Sequence, residues 1–144
     1  MLKEESNMSV PVHRRKEHNL KYYSLAREIR IDILKIIKKI DKSDDFIVEK
    51  YKEVFFEYSR KLIYNIRIAH NIYVKTKTDY EMRRGFQNKA IAISHLLLEE
   101  IEFLFEIFKK AIKLFEQLIK KINEEIKLLK GWRTANDKIV NNFN

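Results

Sequence analysis

Four histidines, 21 acidic and 30 basic side chains are the groups in this 144-residue chain able to do chemistry, because cysteine is absent. The histidines are His13, His18, His70 and His95. A di-metal site in a helix bundle needs carboxylates and a Glu-x-x-His spacing on two helices. No Glu precedes any of these histidines by three residues, and His95 with Glu99 is a single pair one turn apart. No metal and no cofactor is therefore expected. Ser24, Ser43, Ser59 and Ser94 fall within helical patterns or caps, without the strained turn that exposes a nucleophile. Glu99, Glu100, Glu102 and Glu106 read as charges on a helix surface, and a general acid needs an apolar pocket that nothing in the pattern supplies. With 2 Gly there is no phosphate-cradling glycine loop either. The expectation is a non-catalytic protein.

The cations are more informative. The formal charge of +9 gives a small protein a positive field that attracts polyanions. Arg60, Lys61, Arg67 and Lys75 lie in one helical stretch, and Arg83, Arg84 and Lys89 open the next. Antiparallel neighbours joined near Thr76 to Thr78 would bring the two groups together, with Gln87 and Asn88 adding hydrogen bonds. Such side chains hold phosphates without reading sequence. The expected site is a nucleic-acid surface built from these seven residues.

The elements that must position them are helices. One Pro and 2 Gly are too few for the tight turns of a sheet protein. Residues 1–17 read as a basic tail with Pro11 and Arg14-Arg15-Lys16, with Met1 or Met8 as the start. Residues 18–140 read as one domain and 141–144 as a polar tail. The first helix is expected from an Asn19 cap, burying Tyr23, Ala26, Ile29, Ile33, Ile36, Ile37 and Ile40 at three-and-four spacing. Asp41 to Asp45 is a break, in which Ser43 or Asp44 would cap the next helix. The second helix is expected over Phe46 to Lys75. Its stripe is Ile47, Tyr51, Val54, Tyr58, Leu62, Ala69 and Ile72, widened by Phe55, Ile63 and Ile66. Thr78 and Glu81 have capping-box spacing for the third helix, which would bury Phe86, Ala90, Ile93, Leu97, Ile101, Leu104 and Phe108. A turn at Phe108 to Ala111 is expected, because one helix from Asp79 to Lys130 would run roughly 75 Å. The fourth helix would bury Ile112, Phe115, Ile119, Ile122, Ile126 and Leu129 and end on Gly131 as its cap.

The fold class is thus all-α, an antiparallel up-down four-helix bundle. Apolar runs are short and charge-broken, so no membrane span is expected. Met1 to Asn7 lacks an apolar core, so no secretory signal is expected and a cytoplasmic location is. Surplus apolar residues on the second and third helices, among them Phe55, Phe56, Tyr64, Tyr73 and Leu96 to Leu98, point to a subunit or partner interface.

The segment from Asn71 to Arg84, with Thr76-Lys77-Thr78-Asp79-Tyr80 at its centre, and its continuation Phe86-Gln87-Asn88-Lys89-Ala90-Ile91 resemble the accessory variability determinant (Avd) family. Ser9 to Lys16 is similar to the start of one branch of that family, and Lys130-Gly131-Trp132-Arg133 with Asp137 to its close. The resemblance implies a homopentamer of four-helix bundles with a basic surface. It implies binding to the reverse transcriptase of a diversity-generating retroelement and to its template RNA or DNA. It makes Arg83, Arg84 and Lys89 the foremost nucleic-acid contacts, adds Arg133, and gives Trp132 an anchoring role. Gly85 departs from a helix-friendly residue at that place, and the Asn-rich end departs from a basic one. The competing expectations are a protein–protein adaptor or a relative of the intervening-sequence proteins of ribosomal RNA genes.

Overall fold

The computed structural model describes residues 20–40, 46–107 and 112–143. They form α1 (Lys21–Ile40), α2 (Phe46–Asn71), α3 (Lys77–Ile107) and α4 (Ile112–Asp137), followed by a 3-10 helix at Lys138–Phe143. The expected basic tail, the Asn19 cap, the Asp41–Asp45 break and the Phe108–Ala111 turn lie outside the described residues. The first hydrogen bond of α1 is donated by the Ser24 amide to the Leu20 carbonyl.

Cross-helix pairs fix the topology. Tyr23 faces Arg67 and Arg30 faces Phe56, so α1 and α2 run oppositely. Ala69 faces Arg83 while Tyr51 lies near Glu100, which reverses α2 against α3. Arg84 meets Asp137 and Asn88 meets Arg133. Tyr22 stacks on Trp132 and Asp32 pairs with Lys121, closing α4 against α1. Each helix packs on its two neighbours, and the result is an up-down four-helix bundle.

The core follows the heptad logic of packed helices, with some faces rotated from expectation. In α1 Tyr23, Ala26, Ile29, Ile33 and Ile36 are buried as expected, Tyr22 is buried as well, and Ile37 is only half-buried. In α2 the core face is Phe55, Ser59, Leu62, Ile66 and Ala69, whereas Ile47 is 43 % exposed and Tyr51, Val54 and Tyr58 sit at the margin. The expected stripe was turned toward that margin because aromatic and branched residues surround most of the helix. In α3 Gln87, Ala90, Ile91, Ser94, Leu97, Ile101 and Leu104 are buried, with Phe86 and Ile93 at the edge. In α4 Leu118 and Glu125 join Phe115, Ile122, Ile126 and Leu129, while Ile119 is only half-buried. Phe105 meets Phe115 edge-on at 6.4 Å between ring centres, tying α3 to α4 near the expected turn.

Helix ends were expected in three wrong places. α2 stops at Asn71 rather than Lys75. The capping box of α3 is Thr76 with Asp79, not Thr78 with Glu81. The Asp79 amide donates to Thr76 Oγ1, and the Thr76 and Lys75 amides donate to Asp79 Oδ2, all at 3.1 Å. Asp79 wins because one carboxylate accepts two amides from the incoming chain. Those bonds, the Lys75 amide first, hold its carboxyl below the usual carboxylate range. Gly131 does not end α4. It keeps helical backbone with no positive φ, because Trp132 and Asn136 continue the packing beyond it. The expected polar tail is part of the 3-10 helix as far as Phe143.

The bundle also buries polar groups. Ser59 and Ser94 donate back to the carbonyls of Phe56 and Ala90 on their own helices. The Gln87 amide nitrogen and both Glu125 oxygens have no hydrogen-bond partner among the described residues. The α3–α4 register brings Glu125 level with the Ser94–Leu96 turn, midway along α3. Burial alone pushes the Glu125 carboxyl up to about 9, so it is neutral at pH 7. A folded-state value above the unfolded one means its stability contribution is complete below about pH 4.5 and is lost as pH rises toward 9. Glu125→Leu is therefore expected to stabilise the protein at pH 7 by roughly 3 kcal/mol. It should also flatten the fall in stability between pH 5 and 9. Denaturant titrations across that range check both.

Candidate nucleic-acid interface

The expected cations do not form one continuous solvent face. Arg83 turns inward. Its Nε donates to the Ala69 carbonyl at 3.0 Å, one terminal nitrogen donates to the Ile72 carbonyl, and the other donates to Asn136 Oδ1 at 3.0 Å. The two carbonyls belong to the last turn of α2 and the residue after it, where the helical ladder runs out; the Ala69 carbonyl also accepts from the Ile72 amide at 3.3 Å. A guanidinium suits this place because its planar fork presents several donors at once. Burial lowers its affinity for the proton, with Tyr22 opposing the shift. Asn136 is itself buried and donates to the Trp132 carbonyl, so one arginine links the end of α2, the start of α3 and the end of α4.

Arg84 lies beside this clamp. It donates to Tyr80 Oη at 2.8 Å and pairs with Asp137 Oδ1, on which Tyr80 also donates. The Tyr80 hydroxyl holds the Asp137 carboxyl below the usual carboxylate range, with Arg84 and Arg133 assisting. Reciprocally, Asp137 pushes the Tyr80 phenol up. The Arg84 and Asp137 side chains are 37 % and 44 % exposed, so the pair sits at the surface and is screened.

The other expected contacts are dispersed. Arg60 lies 3.7 Å from Glu57 and near the Tyr64 ring. Lys61 is exposed. Arg67 points toward α1 and donates to Tyr23 Oη at 3.4 Å. Lys75 and Lys89 are exposed over the rings of Tyr73 and Phe86. Arg133 donates to Asn88 Oδ1 at 2.9 Å, joining α4 to α3. The structure thus brings Arg83, Arg84 and Arg133 to one end of the bundle together with Trp132, whose ring stacks on Tyr22 at 4.2 Å and lies near His70. Residue spacing did not reveal the inward turn of Arg83. The Asp137 that follows Trp132 gave no signal either, because Arg133 stands one turn before it on the same helix and would satisfy it on spacing alone.

Among the described residues no group of three His, Asp or Glu side chains is placed to hold a metal ion. Among them too, no helix is long and apolar enough to cross a membrane. No protein-family model matches the chain, and no curated protein or solved structure is significantly similar to it.

Removing the clamp takes the donor from the Ile72 carbonyl and from the Oδ1 of buried Asn136, and leaves the Ala69 carbonyl only the Ile72 amide. Arg83→Ala is expected to destabilise the bundle by about 2–4 kcal/mol. Arg83→Lys should recover little, since an ammonium cannot span the three acceptors. Arg84→Ala should cost about 1 kcal/mol or less, as an exposed pair does. Chemical denaturation of the three variants orders them.

Proposed function

We propose that this chain is a non-catalytic accessory protein of a diversity-generating retroelement. In this reading it binds the reverse transcriptase and the template RNA or its complementary DNA, in the cytoplasm, and supports mutagenic copying. Its part in the reaction is electrostatic: it captures phosphate backbones and presents them to the polymerase, without forming or breaking bonds.

The observation that carries this reading is the junction at the end of the bundle. The two separated segments that resemble the Avd family, Asn71 to Ile91 and Lys130 to Asp137, meet there. Tyr80, Arg83 and Arg84 of the first bond to Asn136 and Asp137 of the second. A resemblance split across the chain is thereby one physical unit. It rests on an all-α bundle with a formal charge of +9, which suits polyanion capture.

The pentamer implied by the same resemblance is part of the proposal. Large apolar side chains are exposed mainly on α2 and α3. Phe46 is 72 % and Tyr64 57 % exposed on α2, and Leu96 is 44 % and Phe103 50 % exposed on α3. Covering such a surface with sister subunits removes it from water. The same surface favours the second reading, a protein–protein adaptor or intervening-sequence-type protein with no retroelement role.

The decisive experiment is co-expression with a reverse transcriptase encoded beside this gene. The expected result is a stable complex containing the polymerase, this protein and template RNA, with light scattering of the protein alone giving five subunits. Capture of a protein partner with no nucleic-acid affinity would favour the adaptor instead.

A further inference from the structure

The excess positive charge is not spread evenly around the bundle. α1, α4 and the 3-10 helix together carry thirteen Lys and Arg against six Asp and Glu. α2, α3 and the segment joining them carry ten against nine. Nearly all of the net charge of the described residues therefore belongs to one side of the molecule, opposite to the side on which spacing alone put the binding cations.

Exposure sharpens the contrast. On α1, Lys21, Arg27, Lys35, Lys38 and Lys39 are exposed. On α4 and its extension, Lys120, Lys127, Lys130 and Lys138 are exposed. None of these nine is in an ion pair among the described residues, because the α1–α4 pair that does form uses Lys121 and Asp32 at 2.6 Å. That pair sets the antiparallel register and brings Lys120 to the same end of the bundle as Lys35, Lys38 and Lys39. On α2, by contrast, Lys50, Lys52 and Arg60 lie against Glu53, Glu49 and Glu57 of their own helix. The carboxylates of α3 crowd its second half at Glu99, Glu100, Glu102 and Glu106.

We infer that the α1–α4 side is the polyanion-binding surface, and that its ligand is the phosphate backbone of a nucleic acid. This deepens the proposed function and rests on its nucleic-acid-binding part. Unpaired ammonium groups one or two turns apart on adjacent antiparallel helices neutralise successive phosphates and release their counterions. An anionic lipid surface is the poorer match. A helix lying on a membrane buries an apolar stripe between its cations. From Phe115 onward no large apolar side chain of α4 is exposed, and on α1 only Ile31 and Leu34 are among the residues whose exposure is described. The α2–α3 side, near neutral and apolar, is left for protein contacts.

Two variants with equal charge loss test this. One carries Lys35→Gln, Lys38→Gln, Lys39→Gln and Lys120→Gln. The other carries Lys61→Gln, Lys75→Gln, Lys77→Gln and Lys89→Gln. All eight side chains are exposed, so circular dichroism should show both variants folded. Binding of a single-stranded RNA, a duplex DNA and phosphatidylserine vesicles is measured as salt is raised. The expected result is that the first variant loses about tenfold or more in RNA affinity near physiological salt. Its log K against log salt slope should become shallower by about 2–3, while the second changes by less than about 1. Equal losses in both variants, or a larger loss in the second, would overturn the assignment of the face. A wild-type protein that binds vesicles but neither nucleic acid would overturn it too, together with the nucleic-acid part of the proposed function. Failure to capture the polymerase with the first result intact would remove the retroelement reading and leave the face standing.

Discussion

A helix that ends inside a bundle has carbonyls that the helical ladder no longer serves, and here one guanidinium reaches two of them at once. Arg83 reaches from α3 across the end of α2 and on to Asn136, so the termination of one helix and the attachment of another depend on one side chain. The neighbouring bonds follow from its position. Thr76 and Asp79 close the start of α3 at the point where α2 has just been released. Tyr80 and Arg84, one turn along, take hold of Asp137. Beyond Asn136, Trp132 carries the connection on to Tyr22, so all four helices are tied at this end.

That end also engages two of its arginines internally, so the solvent-facing cations lie elsewhere. Arg84 is offset by the Asp137 carboxylate, while Arg83 keeps its charge but turns it inward onto uncharged acceptors. Apart from Lys121, which pairs with Asp32, the exposed lysines of α1 and α4 named above have no such partners among the described residues, and they have strongly hydrated heads on flexible stems. The guanidiniums of Arg83 and Arg84 thus hold the architecture, while most of the exposed cations of α1 and α4 are ammonium groups.

Much of the architecture was legible in the sequence. Scarcity of Gly and Pro and the three-and-four period of isoleucines gave α1 its buried residues almost individually. The face of α2 was harder, because Tyr51, Phe56 and Tyr58 carry apolar area at the margin and in water, while Ser59 occupies the centre. The same limit hid Gln87, Ser94 and Glu125. A stripe drawn only through apolar residues passes beside a core that contains polar ones, although the spacing 118, 122, 125, 129 does place Glu125 inside. The site was less legible still. An arginine aimed at carbonyls and one aimed at solvent look alike in a sequence, since the acceptors belong to backbone that has no letter. Gly131 misled for the opposite reason: its meaning as a terminator was outweighed by residues after it that happen to pack.

The helical Gly131 has one more consequence. No atom lies within 4 Å of where its Cβ would be, so no packing requires its small size, and it weakens α4 by about 1 kcal/mol relative to alanine. The two turns that follow are kept in place by Trp132, Arg133, Asn136 and Asp137 rather than by intrinsic helicity. The last stretch of α4 thus depends on these contacts, and its side-chain anchors come away together when it unwinds. In amide hydrogen exchange it would behave as a separate small cooperative unit, opening before the middle of the bundle loosens.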